Sequence, residues 1–363
     1  MQVLLKNISF IFLSTLVVFT ACRKDITGFE QHIFENSWET ADASEQGFNE
    51  RELQQAFDAA TRTGFMDCLL IVKNGYIVAE EYYHGYDENS MHNIKSVSKT
   101  FLSAITGIAL REGFIDNLDQ KMLDFFPEYD HSGLDSRKSD ITLEDLLTMQ
   151  MGMEHERFNY SQLFGSSNWI DSIIEFPLLY GPGTTFSYNT GQTHLLSAIL
   201  TRSSAMSTKA LADEFLFGPM NISVDRWDQG PDGYYFGGNS MYFTPREMAV
   251  LGYLYLHDGF INGQQVVPKH WVEASLQNSS GLANNDWGNL HDLNYGYLWW
   301  LGKIGGYKTF QAMGYGGQLV VCFPKLNMIV VTTSRTNVDW DSSDQHIAAI
   351  IDIIAEQIIP SLK

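Results

Sequence analysis

The 363-residue chain is long enough to bury a large core, as one large domain or two closely packed ones. Its composition, 44% hydrophobic and 18% charged, is that of a globular protein, and it carries no internal repeat and no low-complexity tract. A formal charge of −20 argues against nucleic acid or an anionic bilayer as a partner of the folded surface.

Residues 7–21 form an apolar run behind Lys6, too short for a spanning helix and followed by polar Arg23-Lys24-Asp25. This pattern reads as an export signal covering residues 1–21. The Phe19-Thr20-Ala21-Cys22 ending resembles a bacterial lipoprotein lipobox, with Phe where Leu is usual. The resemblance implies lipidation at Cys22, a membrane anchor and a place in the bacterial envelope. Residues 22–47 are polar and unpatterned, as a tether would be. The other cysteines, Cys68 and Cys322, lie in apolar runs and read as buried thiols, with a bridge left open.

A helix is expected over residues 48–62, stopping at Gly64. Cys68–Val72 and Tyr76–Glu80 are apolar runs joined through Asn74-Gly75, a strong hairpin signal. Phe101, Ile105 and Ile108 then recur at helical spacing, which places Ser96-Val97-Ser98-Lys99 at a helix start. From about 111 to 245 the chain is mostly helical signals between turns, including a Thr142/Asp145 capping box. Gln318–Phe323 and Met328–Thr333 are β-rich runs. A closing helix is expected from Ser342, capped with Gln345, with Ile347, Ile350, Ile351, Ile354 and Ile358 on one face. A mixed domain built from both chain ends and interrupted by a helical insert fits this order.

Ser96 and Lys99 fall three residues apart, so a hydroxyl and an amine share one helical face. Such a pair makes a nucleophile without histidine, provided that burial or a nearby cation lowers the lysine pKa. The bland alternative is that Ser96 caps the helix and Lys99 is solvated. At a helix start the serine would also have its own N–H free for an oxyanion. Tyr188 and Asn189 follow the Gly181-Pro182-Gly183 turn, where a phenol placed in a cleft can relay a proton. Gly314-Tyr315-Gly316-Gly317-Gln318 opens a strand, and glycines there mark close backbone approach. His92 and His194 lie near these motifs, and Tyr295, Tyr297, Trp299 and Trp300 offer an apolar wall or core packing. There is no Gly-x-Ser-x-Gly elbow and no His-Glu-x-x-His, which turns the reading away from an α/β-hydrolase or a zinc enzyme.

Ser96-Val97-Ser98-Lys99 resembles the first motif of the serine β-lactamase and penicillin-binding protein superfamily, in its class C form. Tyr188-Asn189 resembles that group's Tyr-x-Asn motif. Glu112–Asp119, Phe126-Pro127-Glu128, Leu146–Met149 with Gly152, and Pro182-Gly183-Thr184 sit in the family's order. The likeness runs over roughly residues 50–360 and is nearest to the esterase, amidase and 6-aminohexanoate-dimer hydrolase branch.

It implies an α+β fold of the β-lactamase/transpeptidase type: an antiparallel five-stranded sheet flanked by helices, plus an all-helical domain. The hydrolase domain would span 48–363, with the helical part at about 111–245. It implies Ser96 as the acylated nucleophile, Lys99 as base and Tyr188 as proton relay, with Asn189, Gly316, Gly317 and Gln318 as the substrate and oxyanion set. No metal or cofactor is implied, and the partner is a small-molecule or short-peptide ester or amide. Two departures matter. Asn does not sit two after Tyr188, so Asn189 or Thr190 takes the amide's role. The third motif lacks its lysine, with Tyr315-Gly316-Gly317 the nearest counterpart, which weakens β-lactamase and D-Ala-D-Ala carboxypeptidase readings. A non-catalytic sensor using the same cleft is the remaining alternative.

Overall fold

The computed structural model describes residues 32–129, 133–280, 282 and 285–363. The expected export signal and Cys22, the expected lipidation site, lie outside the described residues. Helix α1 (Glu50–Thr63) starts where the Asn49 side chain accepts from the Arg51 and Glu52 N–H groups, and stops at Gly64 in the left-handed region. The hairpin follows as expected, with Asn74 at φ 54° and Gly75 at φ 86°, the mirror-image turn that matches strand twist.

Among the described residues, nine strands make one sheet. In chain order they are β1 (Glu39–Thr40), β2 (Met66–Lys73), β3 (Tyr76–Tyr82), β4 (Asn285–Trp287), β5 (Leu290–Tyr295), β6 (Trp300–Ile304), β7 (Tyr307–Gly314), β8 (Gln318–Phe323) and β9 (Met328–Ser334). Their spatial order is β1-β3-β2-β9-β8-β7-β6-β5-β4. The β3-β2-β9-β8-β7 stretch is the antiparallel set of five that the resemblance implies. The expected count is corrected upward. β6, β5 and β4 extend the β7 edge because Gly305-Gly306, both at positive φ, fold Trp300–Gly314 into a further hairpin. The two-residue β1 joins β3 in parallel.

Both faces of the sheet are covered, so its strands read as continuous apolar runs rather than alternating ones. Leu319, Val321 and Phe323 of β8 face α1 and the C-terminal helix, whereas Val320 and Cys322 face the other side. On that other side lie α2 (Val97–Arg111), α3 (Thr190–Ser204), α4 (Pro245–Leu256) and short helices, in one continuous core. Gly107 lets α2 press against the Trp271 indole, because a Cβ there would lie 2.3 Å from the ring. The Thr142/Asp145 capping box is present. Cys68 and Cys322 are buried and free. The last helix, α5 (Trp340–Ile353), begins earlier than expected. Its cap is Asp339, which accepts from the Ser342 N–H at 2.7 Å, so the Ser342/Gln345 capping box does not form. The five isoleucines of its apolar face are buried as expected.

Candidate active site

Ser96 is the residue from which α2 springs. Lys95, in the left-handed region at φ 51°, turns the chain into the helix, and its N–H donates to the Asn93 side chain at 3.0 Å. Ser96 makes no side-chain cap bond. Its Oγ instead accepts from Lys99 Nζ at 2.8 Å, so capping does not account for it.

Lys99 is 1% exposed. Its three ammonium donors meet three acceptors: Ser96 Oγ, Thr190 Oγ1 at 2.8 Å and the Gly238 carbonyl at 3.0 Å. Burial lowers its pKa to about 8, against an opposing pull from the Glu156 carboxylate. A solvated surface lysine is thereby excluded.

Tyr188 reaches the same point from the loop before α3. Lys99 Nζ lies 4.9 Å from its ring centroid, and Tyr188 and Ser96 line the same cavity. Burial and the Glu156 charge push the phenol pKa up, and the Ser96 hydroxyl only partly offsets them. Tyr188 is therefore a neutral phenol at physiological pH. Its ring stacks on Trp300 at 5.5 Å and meets Tyr295 edge-on at 6.2 Å.

Of the two second-motif candidates, Thr190 is the one whose side chain meets Lys99. Asn189 is fully buried and turned from the cleft: its Oδ1 accepts from Gly191 N–H as the α3 cap, and its amide donates to the Glu154 carbonyl and Asn159 Oδ1. One residue on, Thr190 Oγ1 faces Lys99 and donates to the Glu156 carboxylate, whose Oε2 also accepts from the Thr190 N–H at 2.7 Å. Glu156 was invisible to sequence reasoning. It sits on a short turn (Glu156–Phe158) in an unpatterned stretch, and only its proximity in space ties it to Lys99.

The glycine turn also departs from expectation. Gly316 N–H donates to Ser343 Oγ at 2.8 Å, and Gly317 N–H closes the turn onto the Gly314 carbonyl at 3.2 Å. Gln318 is buried, with its amide donating to the Ser334 carbonyl at 2.6 Å. These three residues hold the β7–β8 turn, and none of them lines the cleft. Met313, Gly314 and Tyr315, at the end of β7, line the cavity that holds Ser96. The Tyr315 hydroxyl is committed to the Val338 carbonyl at 2.6 Å, so it does not replace the absent third-motif lysine. Of the aromatic wall, Trp300 lines the cavity, Tyr295 backs it, and Tyr297 and Trp299 are in the core. His92 and His194 do not line it; His194 Nε2 is 3.0 Å from Asp232 Oδ2 in the buried insert.

The family described as Beta-lactamase matches residues 59–353. This chain belongs to the beta-lactamase family. It therefore sits in the serine β-lactamase and penicillin-binding protein superfamily that its motifs resemble. The 6-aminohexanoate-dimer hydrolase of Paenarthrobacter ureafaciens is 25% identical over 301 residues, covering 77% of this chain and 74% of that protein. A solved structure described as a candidate 6-aminohexanoate-dimer hydrolase from Bacillus anthracis superposes with a TM-score of 0.67 at 22% identity, over 91% of this chain and 89% of the other. The octameric penicillin-binding protein homologue of Pyrococcus abyssi gives 0.63 at 16%, over 86% and 78%. At such identities the structural likenesses speak to the fold of this beta-lactamase family member.

Proposed function

We propose that the protein is a serine hydrolase that cleaves an ester or amide through an acyl-enzyme on Ser96. The observation that carries this reading is the 2.8 Å contact between Ser96 Oγ and a buried Lys99 whose pKa is lowered to about 8. A meaningful fraction of Lys99 is then neutral near pH 7 and can accept the serine proton. Oγ bonds to the substrate carbonyl carbon as Lys99 takes that proton. The carbonyl oxygen, now negative, is met by the Ser96 N–H and by an N–H at Gly314–Tyr315, the cavity-lining end of the Gly314–Gln318 run. The bond to the leaving oxygen or nitrogen breaks as Tyr188, a neutral phenol, donates its proton and is reprotonated from the Lys99 ammonium. Water then attacks the acyl carbon as Lys99 takes its proton; the acyl C–Oγ bond breaks, Lys99 returns that proton to Ser96 Oγ, and the acid leaves. Thr190 and Glu156 hold Lys99 at its station.

The test is the release of p-nitrophenol from short esters, followed before steady state, with intact mass and fluorophosphonate labelling measured alongside. A burst, a mass increase and labelling that all vanish in Ser96→Ala are expected. Turnover retained in Ser96→Ala overturns the reading. Acylation that never clears makes the protein a sensor of penicillin-binding type.

We further propose export on residues 1–21 and an envelope anchor at Cys22, on the strength of the apolar run and the lipobox resemblance. Palmitate incorporation lost in Cys22→Ser tests this.

A further inference from the structure

The cavity over Ser96 has a volume of about 540 Å³, ample for a small-molecule acyl group. Its wall begins at the nucleophile. Trp300 stacks on Tyr188, and Phe186 meets Trp300 edge-on at 5.8 Å. Met313 and Ile347 continue the apolar lining, and Trp340 and Phe158 stand farther out. Phe158 is 72% exposed, an unusual state for a phenylalanine unless something apolar covers it.

The charges are arranged the other way. Arg157 is the one arginine or lysine lining the cavity among the described residues, and it is already engaged. Its guanidinium donates to Asp341 at 3.1 Å and to Asp344 at 2.5 Å, and lies 5.6 Å from the Trp340 ring centroid. Two carboxylates thus share one guanidinium; of these Asp344 lines the cavity, and Glu156 is the second carboxylate in that lining. Burial lowers the His155 pKa, so this lining imidazole adds no cation near neutral pH. The Lys99 donors are all spent within the protein, and Lys95 does not line the cavity.

We propose that the cleft accepts bulky, apolar, uncharged acyl groups and rejects acyl groups ending in a carboxylate. The proposal rests on the acyl-enzyme reading above. A large apolar group replaces water against the tryptophans. A carboxylate would be desolvated beside Glu156 and Asp344, and at Arg157 it would compete with Asp341 and Asp344, which already neutralise that guanidinium.

The test uses four p-nitrophenyl esters on the full chain: acetate, 3-phenylpropanoate, methyl adipate and hydrogen adipate, each corrected for its own background hydrolysis. The phenylpropanoate is expected to exceed the acetate in kcat/KM by about tenfold or more, and methyl adipate to exceed hydrogen adipate by a similar factor. Trp300→Leu lowers the first ratio. Asp341→Asn with Asp344→Asn lowers the second by freeing Arg157, with thermal melting checking that both variants fold. Flat or reversed ratios alongside a Ser96-dependent burst overturn this proposal and leave the hydrolase reading standing. No burst with any ester and no fluorophosphonate adduct remove the hydrolase reading, and this proposal with it.

Discussion

Thr190 links Lys99 to Glu156: its hydroxyl accepts from Nζ at 2.8 Å and donates to the carboxylate. The negative charge beyond the hydroxyl favours the protonated amine and holds the Lys99 pKa higher than burial alone would. Glu156→Gln keeps an acceptor for Thr190 but removes the charge. The acid limb of kcat/KM, which follows deprotonation of Lys99, is expected to move to lower pH in that variant. Other charges and phenols around this point are Tyr160, Tyr188 and Tyr295, all held neutral by raised pKa values, and His155, with its lowered one. A pH–rate profile from about pH 6 to 9 checks this; an unmoved limb removes Glu156 from the tuning of Lys99.

If the Thr190 hydroxyl positions Lys99, Thr190→Val should lower kcat by about tenfold or more, and Thr190→Ser should restore most of it. Tyr188→Phe is expected to cost about 10²-fold in kcat with fluorophosphonate labelling of Ser96 retained, since the phenol serves the leaving group rather than the first attack. Activity kept in Thr190→Val but lost in Thr190→Ser would point to packing of the methyl group instead.

Lys99 also leaves a mark on stability. Its folded pKa, about 8, lies below the ordinary 10.5, so between these values the unfolded chain binds a proton that the folded chain does not. Stability attributable to Lys99 therefore rises with pH across that window. Below pH 8 both states are charged and the burial penalty is constant. Melting temperatures of the wild type and Lys99→Met, compared from about pH 7 to 10, should show the wild type gaining on the variant. Parallel curves would mean that Lys99 keeps its proton when folded.

How far the sequence reveals this site follows from how local each signal is. The Asn74-Gly75 turn, the α2 start and the Ser96/Lys99 spacing are set by neighbours in the chain, and each appears where expected. The Gly305-Gly306 hairpin carries the same kind of local signal, a pair of glycines at positive φ between β6 and β7. Asn189 and Thr190 were separable only by the register of α3, which turns the first side chain onto the helix N–H groups and the second onto Lys99. Glu156 and the Arg157–Asp344 pair join segments far apart in sequence, and no spacing rule encodes such a meeting.

Gln318 separates a structural from a chemical role at the β7–β8 turn. Its buried amide donates to the Ser334 carbonyl, and truncation leaves that carbonyl without its partner. Gln318→Ala is expected to cost about 1–3 kcal/mol in stability. Per folded molecule, kcat should stay close to that of the wild type, because Gln318 lies outside the cavity. Denaturant unfolding and active-site titration check the two halves. A fall in kcat of about 10²-fold at unchanged stability would place the Gln318 side-chain amide at the reacting group instead of at Ser334.

The cap of α5 gives the last prediction, because that helix carries Asp341, Asp344 and the Ile347 wall of the cleft. Hydrogen bonds from the Ser342 and Asp341 region hold the Asp339 carboxyl below its ordinary pKa. A carboxylate with a depressed folded pKa contributes stability that is present above its unfolded pKa and lost as pH falls through the folded value. Asp339→Ala should therefore lower the melting temperature at neutral pH, and the gap to wild type should close as the solution is acidified. Ser342→Ala should do less, since it removes the hydroxyl but leaves the Ser342 backbone N–H on the cap. If Ser342→Ala were the more damaging change, the helix would begin at Ser342 in solution, and the carboxylates that hold Arg157 would lose their first turn of support.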